Sequence, residues 1–140
     1  GTALDVTIQD QVHKTLERLV EEREMSLIMI THSLGVAREL TDSIHVMYAG
    51  TVVEAAPTAE VFRQPLHPYT IGLMEAVPRL AGGGIQAGIY GSIPDYLYPP
   101  KGCRFAPRCP RATEQCRTEK PLLTDIGQGH KVACFHWKEG

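Results

Sequence analysis

Four cysteines near the end of the chain form the group of side chains best suited to binding a metal. Their spacing is Cys-x5-Cys-x6-Cys-x17-Cys, which matches neither the zinc sites built from Cys-x2-Cys pairs nor the common ferredoxin patterns. Thiolates bind zinc and iron–sulfur clusters alike. The pattern therefore leaves three alternatives: a metal or cluster site, two disulfides, or free thiols. The cysteines are Cys103, Cys109, Cys116 and Cys134.

The segment that carries the cysteines is basic and rich in proline. Residues 101–120 contain six Lys or Arg and two Glu, whereas residues 1–100 contain 12 acidic and six basic side chains. Nearby positive charge favours the thiolate by lowering thiol pKa. A segment with so little apolar surface needs a metal or a cross-link to become ordered. His130 and His136 could act as substitute ligands. The change in charge and the position of the cysteines together predict that this region is a unit of its own.

His32 is the second side chain that could do chemistry. It follows the apolar run Leu27–Thr31, which is too short for a buried helix and is predicted to be an interior strand. The imidazole would then stand at the carboxyl end of that strand, where open α/β sheets bind ligands. A donor held there could contact the terminal phosphate of a nucleotide, because phosphoryl transfer depends mostly on positioning and electrostatic stabilisation.

Elements with clear patterns surround this histidine. Thr7–Glu24 has apolar residues at spacings of three and four, which predicts an amphipathic helix. Ser33 can cap a further helix that runs to about Leu40. Two apolar runs on either side of Ala49-Gly50 predict a β-hairpin. The first strand, the helix and the next strand suit a βαβ crossover with a parallel pair, and the hairpin adds an antiparallel edge. The predicted hairpin strands are Ile44–Tyr48 and Thr51–Glu54.

Two short helical patterns and a long irregular stretch follow. Pro57–Arg63 is predicted to be helical, as is the segment from Pro68 to about Ala76, since a proline in the first turn lacks only an N–H that is unused there. The glycine run 82–84 predicts a flexible break, and five prolines over residues 94–110 exclude a regular helix or a central strand. The phosphate-binding string Gly-x-x-x-x-Gly-Lys-Ser/Thr does not occur in the sequence.

Several of these strings resemble one protein family. Ile30-Thr31-His32 resembles the switch-histidine loop of ATP-binding cassette (ABC) transporter ATPases, and Ala3-Leu4-Asp5 resembles their D-loop. The string Pro-Lys-Gly-Cys-Arg-Phe-Ala-Pro-Arg-Cys-Pro at 100–110 is similar to the C-terminal extension of the ATP-binding subunits of oligopeptide and dipeptide importers. The chain thus resembles the C-terminal part of such a subunit. Ser33 stands where the family usually has Asp.

The resemblance implies an α/β fold in which the C-terminal portion of a P-loop-type nucleotide-binding domain precedes an irregular Cys- and Pro-rich tail. It assigns residues 1–56 to the nucleotide-binding domain, 57–81 to a helical extension and 82–140 to the Cys-rich extension. His32 is implied to contact the γ-phosphate, and Asp5 to face the opposing subunit. The resemblance also implies a [4Fe–4S] cluster on the four cysteines, with Zn²⁺ as the alternative.

By the same resemblance, the intact subunit binds ATP with Mg²⁺ and couples its hydrolysis to the import of oligopeptides or dipeptides. The implied partners are an identical or paralogous ATP-binding subunit, transmembrane permease subunits and, indirectly, a substrate-binding protein. The implied location is peripheral, at the cytoplasmic face of the inner membrane. Because the chain lacks the phosphate-binding loop and the catalytic glutamate of the family, we expect it not to hydrolyse ATP alone.

The competing interpretation is a non-catalytic metal or iron–sulfur module appended to an α/β domain. Nucleic acid is not expected as a partner, because the basic segment has no recognisable groove-reading element. No apolar run approaches the roughly 20 residues that cross a bilayer. A signal-peptide pattern is not visible at the start of the sequence.

Overall fold

The computed structural model describes residues 3–76 and 88–139. The chain divides into two compact units, Gly1–Thr41 and Asp42–Gly140. The division at 56 and 81 expected from the sequence stays a prediction, and its second boundary lies outside the described residues, as does the glycine run 82–84. Within the described residues no helix combines the length and apolar character needed to cross a membrane.

The first unit contains two helices, as the sequence predicted. Helix α1 is Ala3–Arg23 and helix α2 is Leu34–Leu40. Ser33 caps α2, because its Oγ accepts a hydrogen bond from the Val36 N–H at 3.4 Å. On α1 the exposed pair Lys14–Asp10, with 2.7 Å between Nζ and Oδ2, adds only a few tenths of a kcal/mol.

The predicted interior strand over Leu27–Thr31 is wrong. Residues 25–31 have no regular secondary structure, and the side chains of Ile28 and Ile30 are 92% and 99% exposed. An interior strand exists only through hydrogen bonds to neighbours on both sides, and no described strand pairs with this run. The apolar sequence is present, but the partners that make such a run a strand are not among the described residues.

The second unit is built on a four-stranded sheet in which every pairing is antiparallel. The predicted parallel pair is therefore wrong, whereas the predicted hairpin is confirmed. Its turn is Ala49-Gly50, and both residues have positive φ, 45° and 76°, as tight hairpin turns require. The sheet order is β1-β2-β4-β3, with β1 Ser43–Tyr48, β2 Thr51–Pro57, β3 Thr124–Asp125 and β4 Lys131–Val132.

Short helices complete the second unit. Helices α3, Thr58–Arg63, and α4, Pro68–Glu75, confirm the two helical patterns read from the sequence. Helix α5, Glu114–Thr118, was not predicted. Two 3₁₀ turns, Ala106–Arg108 and Trp137–Glu139, lie in the tail. The proline-rich stretch before them is otherwise irregular, as expected.

Aromatic side chains join the hairpin, α4 and the tail into one core. The ring centroid of Phe105, which is 2% exposed, lies 5.1 Å from that of Tyr48 and 5.5 Å from that of Tyr69. Tyr48 and Tyr69 are 4.7 Å apart. Such tilted and edge-on pairs add about 0.5–1.5 kcal/mol each beyond the area that they bury. The tail is thus part of the fold of the second unit.

A fully buried carboxylate, Glu54, joins three segments of this unit. Its Oε1 accepts from the Leu66 N–H and its Oε2 from the His67 N–H, both at 2.9 Å. Its Oε1 also lies 2.7 Å from Nε2 of His130, in the turn between β3 and β4. These contacts hold the α3–α4 connection and the tail against strand β2. His130, considered above as a substitute metal ligand, is therefore committed to this pair.

His67 provides a pH test of this packing. Its Nδ1 accepts the Tyr69 N–H at 3.0 Å and so caps α4, and burial lowers the pKa of His67 from 6.5 to about 4. The unfolded chain then takes up a proton near pH 6.5, whereas the folded chain does so only near pH 4. The free energy of unfolding should therefore fall by up to about 3 kcal/mol as the pH drops through this window.

The measurement is chemical denaturation at several pH values between 4 and 7. The variant His67→Asn keeps a capping acceptor but does not titrate, so its stability should depend less steeply on pH. Equal slopes for the variant and the parent chain would contradict the assignment to His67.

Candidate four-cysteine site

All four cysteines line one pocket of the second unit. They are free thiols, so neither of the disulfides considered above is formed. The pocket volume of about 20 Å³ has room for roughly one water molecule. Its other walls combine apolar residues, two histidines and one arginine: Pro68, Phe105, Ala106, Pro121, Phe135, His67, His136 and Arg111.

The local fold of the tail brings these thiols together. The Cys103 N–H donates to the Cys116 carbonyl at 2.8 Å, which places the start of the cysteine segment against α5. The 3₁₀ turn over 106–108 then sets the position of Cys109. Cys134 follows β4, so its position depends on the sheet. The distant fourth cysteine of the sequence therefore reaches the pocket through strand pairing.

Three of the four sulfurs accept a hydrogen bond from a backbone N–H group, and the fourth lies beside a hydroxyl group. Backbone N–H groups favour the thiolate at Cys103, from Phe105 and Ala106, and at Cys109, from Arg111. The His136 N–H donates to the Cys134 sulfur at 3.4 Å. The fourth sulfur, of Cys116, lies 3.4 Å from Thr113 Oγ1. Hydrogen bonds of this kind stabilise and orient the thiolates that bind metals.

Burial nevertheless disfavours the thiolate form at three of the four cysteines. It raises the pKa of Cys103 and Cys109 above the usual value of a thiol and raises that of Cys134 to about 11. The expectation that basic neighbours leave the thiols with a lowered pKa is therefore wrong for these three cysteines. Arg111 lowers the pKa of Cys109, but burial outweighs it. A positively charged metal group is the kind of ligand that would reverse this balance.

The four cysteines line the same pocket, but they are not arranged in the coordination geometry of a single metal ion. Among residues 3–76 and 88–139, no three His, Cys, Asp or Glu side chains are arranged to hold a metal ion. The donor chemistry of four thiols in one pocket fits a thiolate-bound metal or cluster, and binding would require the pocket to rearrange.

The residues predicted to meet the nucleotide lie in the first unit. His32 is exposed and lies in the irregular stretch directly before α2, where the Ser33 N–H donates to Thr31 Oγ1 at 3.0 Å. Asp5 lies in the first turns of α1. These placements do not test either role. Sequence reasoning missed Arg111 as a pocket residue and Thr113 as a neighbour of the Cys116 sulfur, although their closeness in sequence to Cys109 and Cys116 was a usable signal.

Comparison with known proteins identifies the class to which this chain is similar. A family model described as "Oligopeptide/dipeptide transporter, C-terminal region" matches residues 53–116, which include most of the hairpin strand β2 and three of the four cysteines. Together with the relatives described next, this match confirms the resemblance to the ATP-binding subunits of oligopeptide and dipeptide importers.

Individual relatives match almost the whole chain. It is 47% identical to the oligopeptide transport ATP-binding protein OppD of Salmonella typhimurium, over 96% of this chain and 40% of that protein. It is 45% identical to the oligopeptide transport ATP-binding protein AppD of Bacillus subtilis, over 99% of this chain and 42% of that protein. A putative peptide import ATP-binding protein of Brucella ovis is 42% identical, with 99% and 43% covered. The chain spans about two fifths of the length of these relatives.

Gly102 allows a direct test of the cysteine segment. A Cβ at this position would lie 2.6 Å from the carbonyl carbon and oxygen of Arg117, which are backbone atoms that cannot rotate away. We expect Gly102→Ala to push the segment off α5 and to lower the free energy of unfolding by about 1–3 kcal/mol.

Urea denaturation of the two purified proteins measures this effect. The matched control is Gly88→Ala, because an added Cβ there meets nothing within 4 Å, so its stability should stay close to that of the parent. Equal midpoints for the Gly102 variant and the parent would contradict the close packing of this segment.

Proposed function

We propose that this chain is part of the ATP-binding subunit of an ABC transporter that couples ATP binding and hydrolysis to the import of oligopeptides or dipeptides. The observation that carries the proposal is the identity of 45–47% with oligopeptide transport ATP-binding proteins over nearly the whole chain. The Ile-Thr-His and Ala-Leu-Asp strings add support, since they lie in this chain at the spacing of a switch-histidine loop and a D-loop.

In this proposal the chain contributes one residue that contacts the γ-phosphate and one that faces the second ATP-binding subunit. The groups that hold the nucleotide come from elsewhere in the subunit. His32 donates a hydrogen bond to the γ-phosphate and helps to orient the attacking water. Asp5 faces the second ATP-binding subunit, which is identical or paralogous. ATP and Mg²⁺ would be held mainly by the phosphate-binding loop, which this sequence lacks. The chain alone is therefore not expected to hydrolyse ATP.

The exposed ring of His32 is consistent with this role, because a group that meets a nucleotide must reach solvent. The turn that carries it is held by the Thr31 and Ser33 hydrogen bonds described above, which keep the ring at the beginning of α2. The proposed assembly includes transmembrane permease subunits and, indirectly, a substrate-binding protein. Its proposed location is peripheral, at the cytoplasmic face of the inner membrane.

Substitution of His32 tests the proposed motor function. In the full-length subunit assembled with its permease, His32→Ala should reduce ATP turnover about a hundredfold, the usual effect of removing one transition-state hydrogen-bond donor. ATP binding should be nearly unchanged. The readouts are phosphate release in proteoliposomes and equilibrium nucleotide binding.

The control for this test is His45→Ala, which removes another exposed histidine, on strand β1. This variant should hydrolyse ATP at the parent rate. Normal turnover in the His32 variant would show that the switch role is assigned to the wrong residue.

We also propose that the four cysteines hold a thiolate-bound metal group, with a [4Fe–4S] cluster favoured over Zn²⁺. The support is the single pocket that all four cysteines line, together with the backbone N–H donors at Cys103, Cys109 and Cys134. Such a group would cross-link the 3₁₀ turn, α5 and the segment after β4, and an iron–sulfur cluster would in addition accept an electron. In this case the tail is a structural or redox module of the subunit.

Anaerobic reconstitution with iron and sulfide, followed by visible spectroscopy and metal analysis, tests this second proposal. A [4Fe–4S] cluster gives about four iron and four sulfide per chain, and Cys116→Ser should lose most of it. The control His45→Asn should retain the cluster, because His45 is exposed on strand β1 and does not line the pocket. About one zinc per chain would replace the cluster assignment with zinc, and absence of any bound metal would refute the site.

A further inference from the structure

Arg111, one of the residues that line the cysteine pocket, has a polar atom without a partner. Its guanidinium Nη1 is buried and donates no hydrogen bond to the residues that the structure describes. A guanidinium stays charged at any physiological pH, and a buried, unpaired donor on a charged group is among the costly features that a folded protein can carry. An orphaned group of this kind needs an explanation, and a bound ion or cofactor is one of the usual ones.

The surroundings of Arg111 narrow the identity of the missing partner. Among the residues that the structure describes, no Asp or Glu lines the pocket. The sulfurs are therefore the groups in the pocket that can become anionic. Arg111 already acts on one of them, since its backbone N–H and its charge both favour the thiolate of Cys109.

The two other arginines nearby show what a satisfied guanidinium looks like in this fold. Arg104 donates to the Ala49 carbonyl. Arg108 donates to the carbonyls of Ile89 and Tyr90. Both side chains serve to fasten the tail to other segments. Arg111 differs because it lines the pocket of the four cysteines and its buried Nη1 has no partner among the described residues.

We propose that Arg111 is a positioning residue of the four-cysteine site, whose guanidinium donates a hydrogen bond to a sulfur of the bound metal group and offsets its negative charge. The inference rests on the proposed thiolate site. Four thiolates around Zn²⁺, or around a [4Fe–4S] core in its 2+ state, leave two excess negative charges, and such a group in an apolar pocket requires a compensating cation. Arg111 meets this need at the cost of an unpaired donor when the metal is absent.

This arrangement predicts opposite effects on the metal-free and the metal-bound protein. Arg111→Gln should leave the metal-free chain as stable as the parent or more stable, because the unpaired charge is gone. The same substitution should weaken metal affinity about tenfold to a hundredfold, the usual effect of losing a group that orients the ligands. Arg111→Lys keeps the charge but not the planar fork, so its affinity should lie between those of the parent and the Gln variant.

The experiment uses the whole 140-residue chain under anaerobic conditions. Zn²⁺ affinity is measured by competition with a chelator, and the stability of each metal-free variant by thermal denaturation. On chains reconstituted with a cluster, the reduction potential provides a third readout, which should be more negative in Arg111→Gln because the reduced cluster loses a stabilising positive charge. The control is Arg117→Gln, which removes the same charge from an exposed position on α5 next to Cys116.

The outcomes separate this inference from the proposal on which it depends. A parent chain that binds neither Zn²⁺ nor a cluster overturns both. A parent chain that binds metal while Arg111→Gln binds it equally tightly, with an unchanged potential, overturns the role of Arg111 alone. Loss of stability in the metal-free Arg111→Gln and Arg111→Lys chains to the same extent would make Arg111 a structural residue, and would also overturn it. The opposite shifts in stability and affinity, absent in Arg117→Gln, support it.

Discussion

The buried carboxylate of Glu54 is the constraint on which the second unit depends. A fully buried carboxylate is tolerated only when its oxygens are satisfied, and here the donors come from parts of the chain far apart in sequence. Two are backbone N–H groups before α4, and one is the ring of His130, 76 positions along the chain. Because these three donors all meet the one carboxylate, the hairpin, the helical connection and the tail must come together before Glu54 can be buried.

The position of the cysteine pocket follows from this arrangement. The Glu54 carboxylate anchors the backbone of His67, whose ring lines one wall of the pocket. The turn that it holds through His130 leads into β4, and β4 leads directly to Cys134. Phe105 is part of the buried core against which Cys103 and Cys109 pack. A site made only of tail cysteines is therefore supported by residues of the hairpin and the helices, which ties the order of the tail to the fold before it.

The basic character of the tail also has a structural meaning that composition alone does not reveal. Arg104 and Arg108 use their guanidinium groups to bind backbone carbonyls of other segments, and Arg111 lines the pocket that holds the thiols. Half of the six positive residues of this segment thus face inward. Their charge serves the packing of the tail and the electrostatics of one pocket, which leaves less of it for an anionic partner at the surface.

Local pattern in the sequence was sufficient for the features that depend on near neighbours. The two helices of the first unit, the Ser33 cap, the hairpin around Ala49-Gly50 and the helix that begins at Pro68 all follow from periodicity, capping and turn chemistry within a few residues. The cysteines were recognisable as a group, because three of them lie close together and their residue type is chemically distinctive.

Only the tertiary structure decided the features that depend on distant partners. The run Leu27–Thr31 has the composition of an interior strand, but such a strand needs neighbours that its own sequence cannot supply, and the run is exposed. The addition of β3 and β4 to the hairpin and the pairing of Glu54 with His130 join residues far apart along the chain. The unpaired donor of Arg111 is likewise visible only once the pocket is formed. Sequence determined the local elements because their energies are local, whereas burial and the satisfaction of buried charge are properties of the assembled fold.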